Sequence, residues 1–184
     1  MYNKIIILVV CCFVFCACSL KNQSKGQNIN LYSAKAQNFA QVGSVFKIDL
    51  DEKLGQGSSL LLFVDYDKQT SVYTIKILGA FSSVLLKARY DQNSFSYDFE
   101  PQLLQNKQVK ELFEQTIKVL ISKDYQDKYK CSSYKCEVAL GTDMFKNKYV
   151  FSSYNENGFA DNILCSYRRG VIKISLHLLK VNEG

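Results

Sequence analysis

None of the 184 residues is tryptophan, one is proline and one is histidine. A single histidine, His177, cannot supply a metal site or a catalytic triad that needs several imidazoles, and on a polar strand face it reads as a solvated side chain. No phosphate-cradling loop occurs, because Gly55 and Gly57 in KLGQGSS are not followed by Lys-Ser or Lys-Thr. Membrane-spanning length is also missing. The uncharged run over residues 5–17 has 13 residues, where a spanning helix needs about 20, and no later segment comes closer. Nor is there a basic stripe. The formal net charge is +6 and the only tight basic clusters are Lys128-Tyr129-Lys130 and Arg168-Arg169, too few for nucleic acid and better suited to a solvated surface near anionic lipid. Asp65 and Asp67 in VDYD could share a strand face as paired carboxylates, but nothing else converges on them. A strand running into a polar turn accounts for them more simply. These absences leave no catalytic residue, no metal site and no cofactor to expect, and the chain is read as not an enzyme.

What is present begins with Lys4 followed by the short apolar run 5–17, the build of an export signal. The run ends in FVFCACSL, residues 13–20. The residues before Cys18 resemble the lipobox of bacterial lipoproteins, an apolar residue and two small ones before a cysteine, with Phe15 and Cys16 standing where Leu and Ala or Ser are usual. The resemblance implies cleavage after residue 17 and acylation of Cys18. Two or three acyl chains, at about 0.8 kcal/mol per buried methylene, hold where one would be marginal. Ser19, in place of the aspartate that retains such proteins in the inner membrane, implies an outer-membrane anchor facing the periplasm. Membrane contact through the lipid anchor is therefore expected.

Removal of residues 1–17 leaves 167 residues with a net charge of +5, the size of one domain with a sizeable core. A monomer is expected. Three cysteines remain beyond the anchor. Cys131 and Cys136 in KCSSYKCE are near enough in sequence to staple a turn or the base of a small hairpin in an exported protein. As a metal site they lack partners, so a disulfide is favoured and Cys165 is expected to be buried and free.

Residues 18–43 read as anchor, leash and lead-in. The stretch SLKNQSKGQNIN, residues 19–30, carries too little apolar surface to fold, and LYSAKAQNFAQV is a weak helical or extended entry. From Ser44 to residue 184 a single β domain is expected. Alternation of apolar and polar residues marks strands at 72–78, 84–90 and 95–99, and again from 172. SLLLFVDY is apolar on both faces and reads as a central strand. Short polar links such as YDQN, NENG and RRG make the neighbours antiparallel hairpins.

Residues 105–122 break the rhythm. Val109, Leu112, Phe113, Ile117, Leu120 and Ile121 recur at three- and four-residue steps, the period of an amphipathic helix of about five turns, and Pro101 separates it from the preceding strand. The fold class is therefore mainly β (α+β), with four or five strands, one helix, then four or five strands. One helix cannot carpet 9–11 strands, so the antiparallel sheet is expected to curl around it into a barrel or half-barrel, with the helix in or over its concave face.

The lipobox, the meander YTIKILGAFSSVLLKARYDQNSFSYDF, the helix NKQVKELFEQTIKVLI and the closing hairpins together resemble the LolA/LolB superfamily of lipoprotein carriers, over roughly residues 44–181. The resemblance implies an unclosed barrel with an apolar cavity for acyl chains of lipids or lipoproteins. In this chain the lining would be Tyr73, Ile75, Ile77, Leu86, Phe95, Tyr97 and Phe99 from the sheet and Leu112, Phe113 and Ile117 from the helix. The 67–70 turn DKQT lacks the exposed apolar residue with which the outer-membrane receptor of that superfamily works on membranes. The alternative is a non-catalytic interaction lipoprotein of the envelope with a filled core.

Overall fold

The computed structural model describes residues 37–50, 60–132, 134–142 and 146–182. The signal segment, Cys18 and the leash lie outside the described residues. The strands are β1 (Gly43–Leu50), β2 (Leu60–Asp67), β3 (Val72–Leu78), β4 (Val84–Tyr90), β5 (Phe95–Phe99), β6 (Lys130–Cys131), β7 (Lys135–Leu140), β8 (Asn147–Tyr154), β9 (Ala160–Tyr167) and β10 (Ile172–Asn182). Between β5 and β6 come α1 (Lys107–Ile121) and the single turn α2 (Lys123–Gln126).

All ten strands form one antiparallel sheet in the order β5-β4-β3-β2-β1-β10-β9-β8-β7-β6. Two hairpin meanders, β1 to β5 and β6 to β10, are thus joined through β1 and β10, whose ladder runs from Gly43 opposite Asn182 to Leu50 opposite Ile174. The sheet is curled and unclosed, as the sequence predicts. Its two edges, β5 and β6, are the strands that α1 connects, so the helix must cross from one edge to the other. Side-chain contacts show which face it crosses: α1 touches Phe95 and Tyr97 of β5 and also Asn147 and Tyr149 of β8. Strands so far apart in the sheet order can share one helix only if the sheet bends around it.

Local chemistry places the turns. At 91–94 the Asp91 carboxylate accepts from the backbone N–H groups of Asn93 and Ser94 at 3.0 and 2.7 Å, the aspartate turn that lets a short polar link reverse the chain. Asp67 does the same for Gln69 and also accepts from the Thr70 hydroxyl, both at 2.8 Å. These hydrogen bonds hold its carboxyl below the usual range, the Thr70 bond most of all. Asp67 is thereby committed to the turn, as the simpler reading of VDYD requires.

The helix is shorter than its pattern, with 15 residues instead of five turns. The Asn106 side chain accepts from the N–H groups of Gln108 and Val109 and caps the start. At the other end Ser122 adopts an extended backbone and its hydroxyl caps α2. Ile117, Leu120 and Ile121 are buried, whereas Val109, Leu112 and Phe113 are only partly so. Val119 lies off the predicted stripe yet is fully buried. The chain after α2 folds back, and the Tyr129 hydroxyl donates to the Val119 carbonyl at 2.9 Å.

The described part of the lead-in, residues 37–42, is neither a helix nor an extended strand. Gln37 makes a single parallel bridge to Phe159, and Phe39, fully buried, meets Phe46 edge-on at 4.9 Å and stacks on Phe159 at 5.2 Å. The Phe39 N–H donates to the Leu120 carbonyl and the Asn38 side chain to the Ser122 carbonyl, both at 2.8 Å. Residues 37–39 thus plug the carboxyl end of the helix.

Cys131 and Cys136 stand directly opposite each other across β6 and β7 and are disulfide-bonded. Cys165 is free and buried. The bridge closes a loop with a sequence separation of 5, and closing so short a loop removes unfolded-state entropy equivalent to about 2 kcal/mol. Reduction is therefore expected to lower the unfolding free energy in urea by about 2 kcal/mol. An unchanged urea midpoint with and without reductant would contradict this.

Candidate functional site

The region of interest is the packed apolar interior between the concave sheet face and α1. Its floor is built by alternation along each strand. Val64, Ile75, Leu86 and Ala88 from the first meander, and Val138, Ile163 and Leu176 from the second, are all buried on this face. The roof is the apolar stripe of α1.

An aromatic row crosses one part of the floor. Tyr66 is opposite Tyr73, Tyr73 opposite Tyr90, and Tyr90 opposite Phe95. Their ring centroids are 4.7, 6.3 and 4.6 Å apart in turn, within the range for favourable aromatic pairs. Phe95 continues the row to Phe113 of the helix at 6.2 Å. Lys118 reaches over the rings of Tyr90 and Phe95 at 5.8 and 5.7 Å.

Around this apolar interior the helix is held by polar side-chain tips. Along the β5 side, the Tyr97 hydroxyl donates to Glu114 at 2.8 Å and Lys110 pairs with Glu100 at 2.9 Å. Along the β8 and β9 side, Asn147 donates to Gln115 and the Tyr167 and Thr116 hydroxyls share a hydrogen bond, both at 2.7 Å. Tyrosine suits this task, because its apolar ring stays in the interior while its hydroxyl reaches a partner. Burial pushes the hydroxyls of Tyr97, Tyr149 and Tyr167 upward in pKa. It pushes the Cys165 thiol up to about 12, so that sulfur is a protonated packing group and not a nucleophile.

Of the lining residues named from the sequence, Tyr73, Ile75, Leu86 and Ile117 are buried here, and Ile77, Phe95, Tyr97, Leu112 and Phe113 are partly buried against the same core. Phe99 is not with them. A register shift between Lys87 and Ala88 in the β4 and β5 ladder displaces the end of β5, and Phe99 is 52% exposed. His177 is half-buried and engaged, not simply solvated: Nδ1 lies 2.7 Å from Asn162 Oδ1 and Nε2 3.2 Å from Asp49 Oδ2. Sequence reasoning missed Phe39, Tyr149 and Tyr167 as parts of the interior. The alternation in NKYVFSSY and ADNILCSY carried the signal for the two tyrosines.

Among the described residues the most exposed large apolar side chain is Phe81, in the 79–83 turn between β3 and β4. Its φ of 56° is left-handed, a conformation that costs a side-chain-bearing residue roughly 1–2 kcal/mol. Val84, Leu85 and Phe99 are exposed near it. A separate cleft of about 340 Å³, lined by Gln41, Asp65, Tyr66, Asp67 and Gln69 among others, opens at the opposite end of the sheet. Among the described residues no helix is long and apolar enough to cross a membrane.

No family model matches the chain, and no curated protein matches it. Among solved structures, the crystal structure of MucB is similar at 10% sequence identity with a TM-score of 0.41, and the match covers 85% of this chain and 58% of that one. This chain therefore spans little more than half the length of that structure.

Proposed function

We propose that this chain is a membrane-anchored lipoprotein whose apolar interior, between the concave sheet face and α1, binds acyl chains of lipids or lipoproteins at the outer membrane, in the manner of the LolA/LolB superfamily it resembles. One observation carries the reading: a ten-stranded curled sheet leaves its edges unjoined, and a single 15-residue helix crosses the gap. The roof is asymmetric. Its carboxyl half is buried and pinned by Phe39 and Asn38, whereas its amino half is partly exposed and held by side-chain tips. An acyl chain would enter beside Leu112 and Phe113, where few buried contacts must be broken, and would gain about 25 cal/mol for each Å² of apolar surface removed from water.

The membrane-working apolar residue implied by the resemblance is absent from the 67–70 turn, and in this reading Phe81 takes that role from the next turn. A bulky side chain held fully exposed in a strained conformation has no packing reason to be there. Phe81→Asn, which tolerates the left-handed backbone, is expected to leave the urea midpoint unchanged or slightly raised. It should weaken binding to phosphatidylcholine vesicles severalfold, and equal binding by the variant would remove Phe81 from the account.

The function itself is tested by titrating the chain from residue 19 onward, which retains every described element, with a fluorescent fatty acid, and by native mass spectrometry of the same protein. Saturable one-to-one binding is expected. A protein that carries no ligand and takes none would favour the filled-core interaction lipoprotein.

A further inference from the structure

The two ends of the sheet differ in chemistry. Of the eight large apolar side chains that are exposed among the described residues, Phe81, Val84, Leu85, Phe99 and Val171 all stand at the end where β3 turns into β4 and β9 turns into β10. At the other end the turns 68–71, 91–94 and 155–158 read KQTS, DQNS and NENG and contain no apolar residue, and the β6–β7 turn there exposes Tyr134, whose ring carries a polar hydroxyl.

Val171 belongs to the β9–β10 turn, far in sequence from Phe81, and is 68% exposed. Left-handed φ values of 46° at Arg168 and 87° at Gly170 bring the turn round. Arg168 and Lys173, on either side of Val171, are exposed, and neither pairs with a carboxylate among the described residues. Two contacts bring this turn close to the Phe81 lip. Arg168 donates to Gln108 in the first turn of α1, and two residues further along Lys110 pairs with Glu100, the neighbour of Phe99. Lys107 is exposed on the same helical turn, 3.9 Å from Glu111. Among the described residues at this end, Glu100 and Glu111 already have lysine partners, and Arg168 and Lys173 have no carboxylate partner.

We propose that the β9–β10 turn is a second membrane contact, selective for anionic lipid, in which Val171 enters the headgroup region while Arg168 and Lys173 meet lipid phosphates. Charge complementarity and the neighbouring apolar lip identify the partner as an anionic bilayer surface. The inference rests on the reading that this protein works at a membrane. Each cation near such a surface contributes about fivefold in affinity, an effect that salt screens.

The test is vesicle binding by the chain from residue 19, with phosphatidylcholine alone and with phosphatidylcholine containing a quarter phosphatidylglycerol. The unaltered chain should prefer the anionic vesicles, and high salt should abolish the preference. The double variant Arg168→Gln with Lys173→Gln should lose about twenty-fivefold on anionic vesicles and little on neutral ones. Arg168→Lys with Lys173→Arg, which keeps both charges, should restore it. No preference in the unaltered chain, or an equal loss on both vesicles, would overturn the proposal. Failure of the acyl-binding reading looks different: the vesicle preference would remain while the fluorescent fatty acid went unbound.

Discussion

Leu120→Ala is expected to lower the unfolding free energy by about 2–5 kcal/mol, measured by urea denaturation, because it empties a fully buried site at the best-held part of the roof. Leu120 sits where α1, the plug residue Phe39 and the buried sheet face come together, and its carbonyl accepts from the Phe39 N–H at 2.8 Å. Little around it can collapse into the vacated volume, since Ile117, Val119 and Ile121 are held by the same helix. Leu112→Ala makes the informative contrast. Leu112 is only partly buried, so its truncation removes less apolar contact and leaves a smaller cavity, and about 1 kcal/mol or less is expected. Equal losses at the two positions would show that the roof is uniformly packed, contrary to a gate in its amino half.

The second large effect is a steep fall in stability under alkaline conditions. Burial raises the pKa of Tyr73, Tyr90, Tyr97, Tyr129, Tyr149 and Tyr167. It raises Tyr154 to about 12 and Cys165 to about 12. In the unfolded chain the thiol ionises near pH 8.5 and the phenols near pH 10, as ordinary groups do. Above those values the folded state therefore holds more protons than the unfolded one, and stability declines as pH rises. Each such group contributes a slope of at most about 1.4 kcal/mol per pH unit. The urea midpoint should be insensitive to these groups below about pH 8.5, begin to fall above it and drop sharply beyond about pH 10. A midpoint that stays level to pH 11 would mean that these hydroxyls are hydrated in the folded protein.

Much of this architecture can be read from local pattern, and what escapes it depends on contacts distant in sequence. Strands 72–78, 84–90 and 95–99 coincide with β3, β4 and β5 because alternation on a half-buried face is a strong local signal. The stapled hairpin of Cys131 and Cys136 likewise follows from their spacing, together with an export signal and too few other metal ligands. Periodicity overextends the helix because it does not see caps: the Asn106 side chain caps its start, and at its end Ser122 turns extended and its hydroxyl caps α2 instead. Phe99 continues the alternation on paper, but a bulge cannot be read from a single strand's pattern, and the bulge moves it outward. Phe39 was hidden in a segment with no period at all, since its burial depends on Phe46, Phe159 and the end of α1. Phe81 sits in a turn whose sequence, GAFSS, gives no sign of the left-handed backbone that displays it.

The most direct test of an acyl-binding interior is where a bound chain lies. A stearate carrying a nitroxide near its methyl end, added to the chain from residue 19 with labelled methyl groups, should broaden the methyl resonances of Ile75, Leu86 and Ile117 selectively. Those of Val150 and Leu164, whose positions in β8 and β9 alternate with the buried ones, should stay sharp. Broadening confined to residues outside the sheet-to-helix interface, or none at all with saturating stearate, would contradict the account.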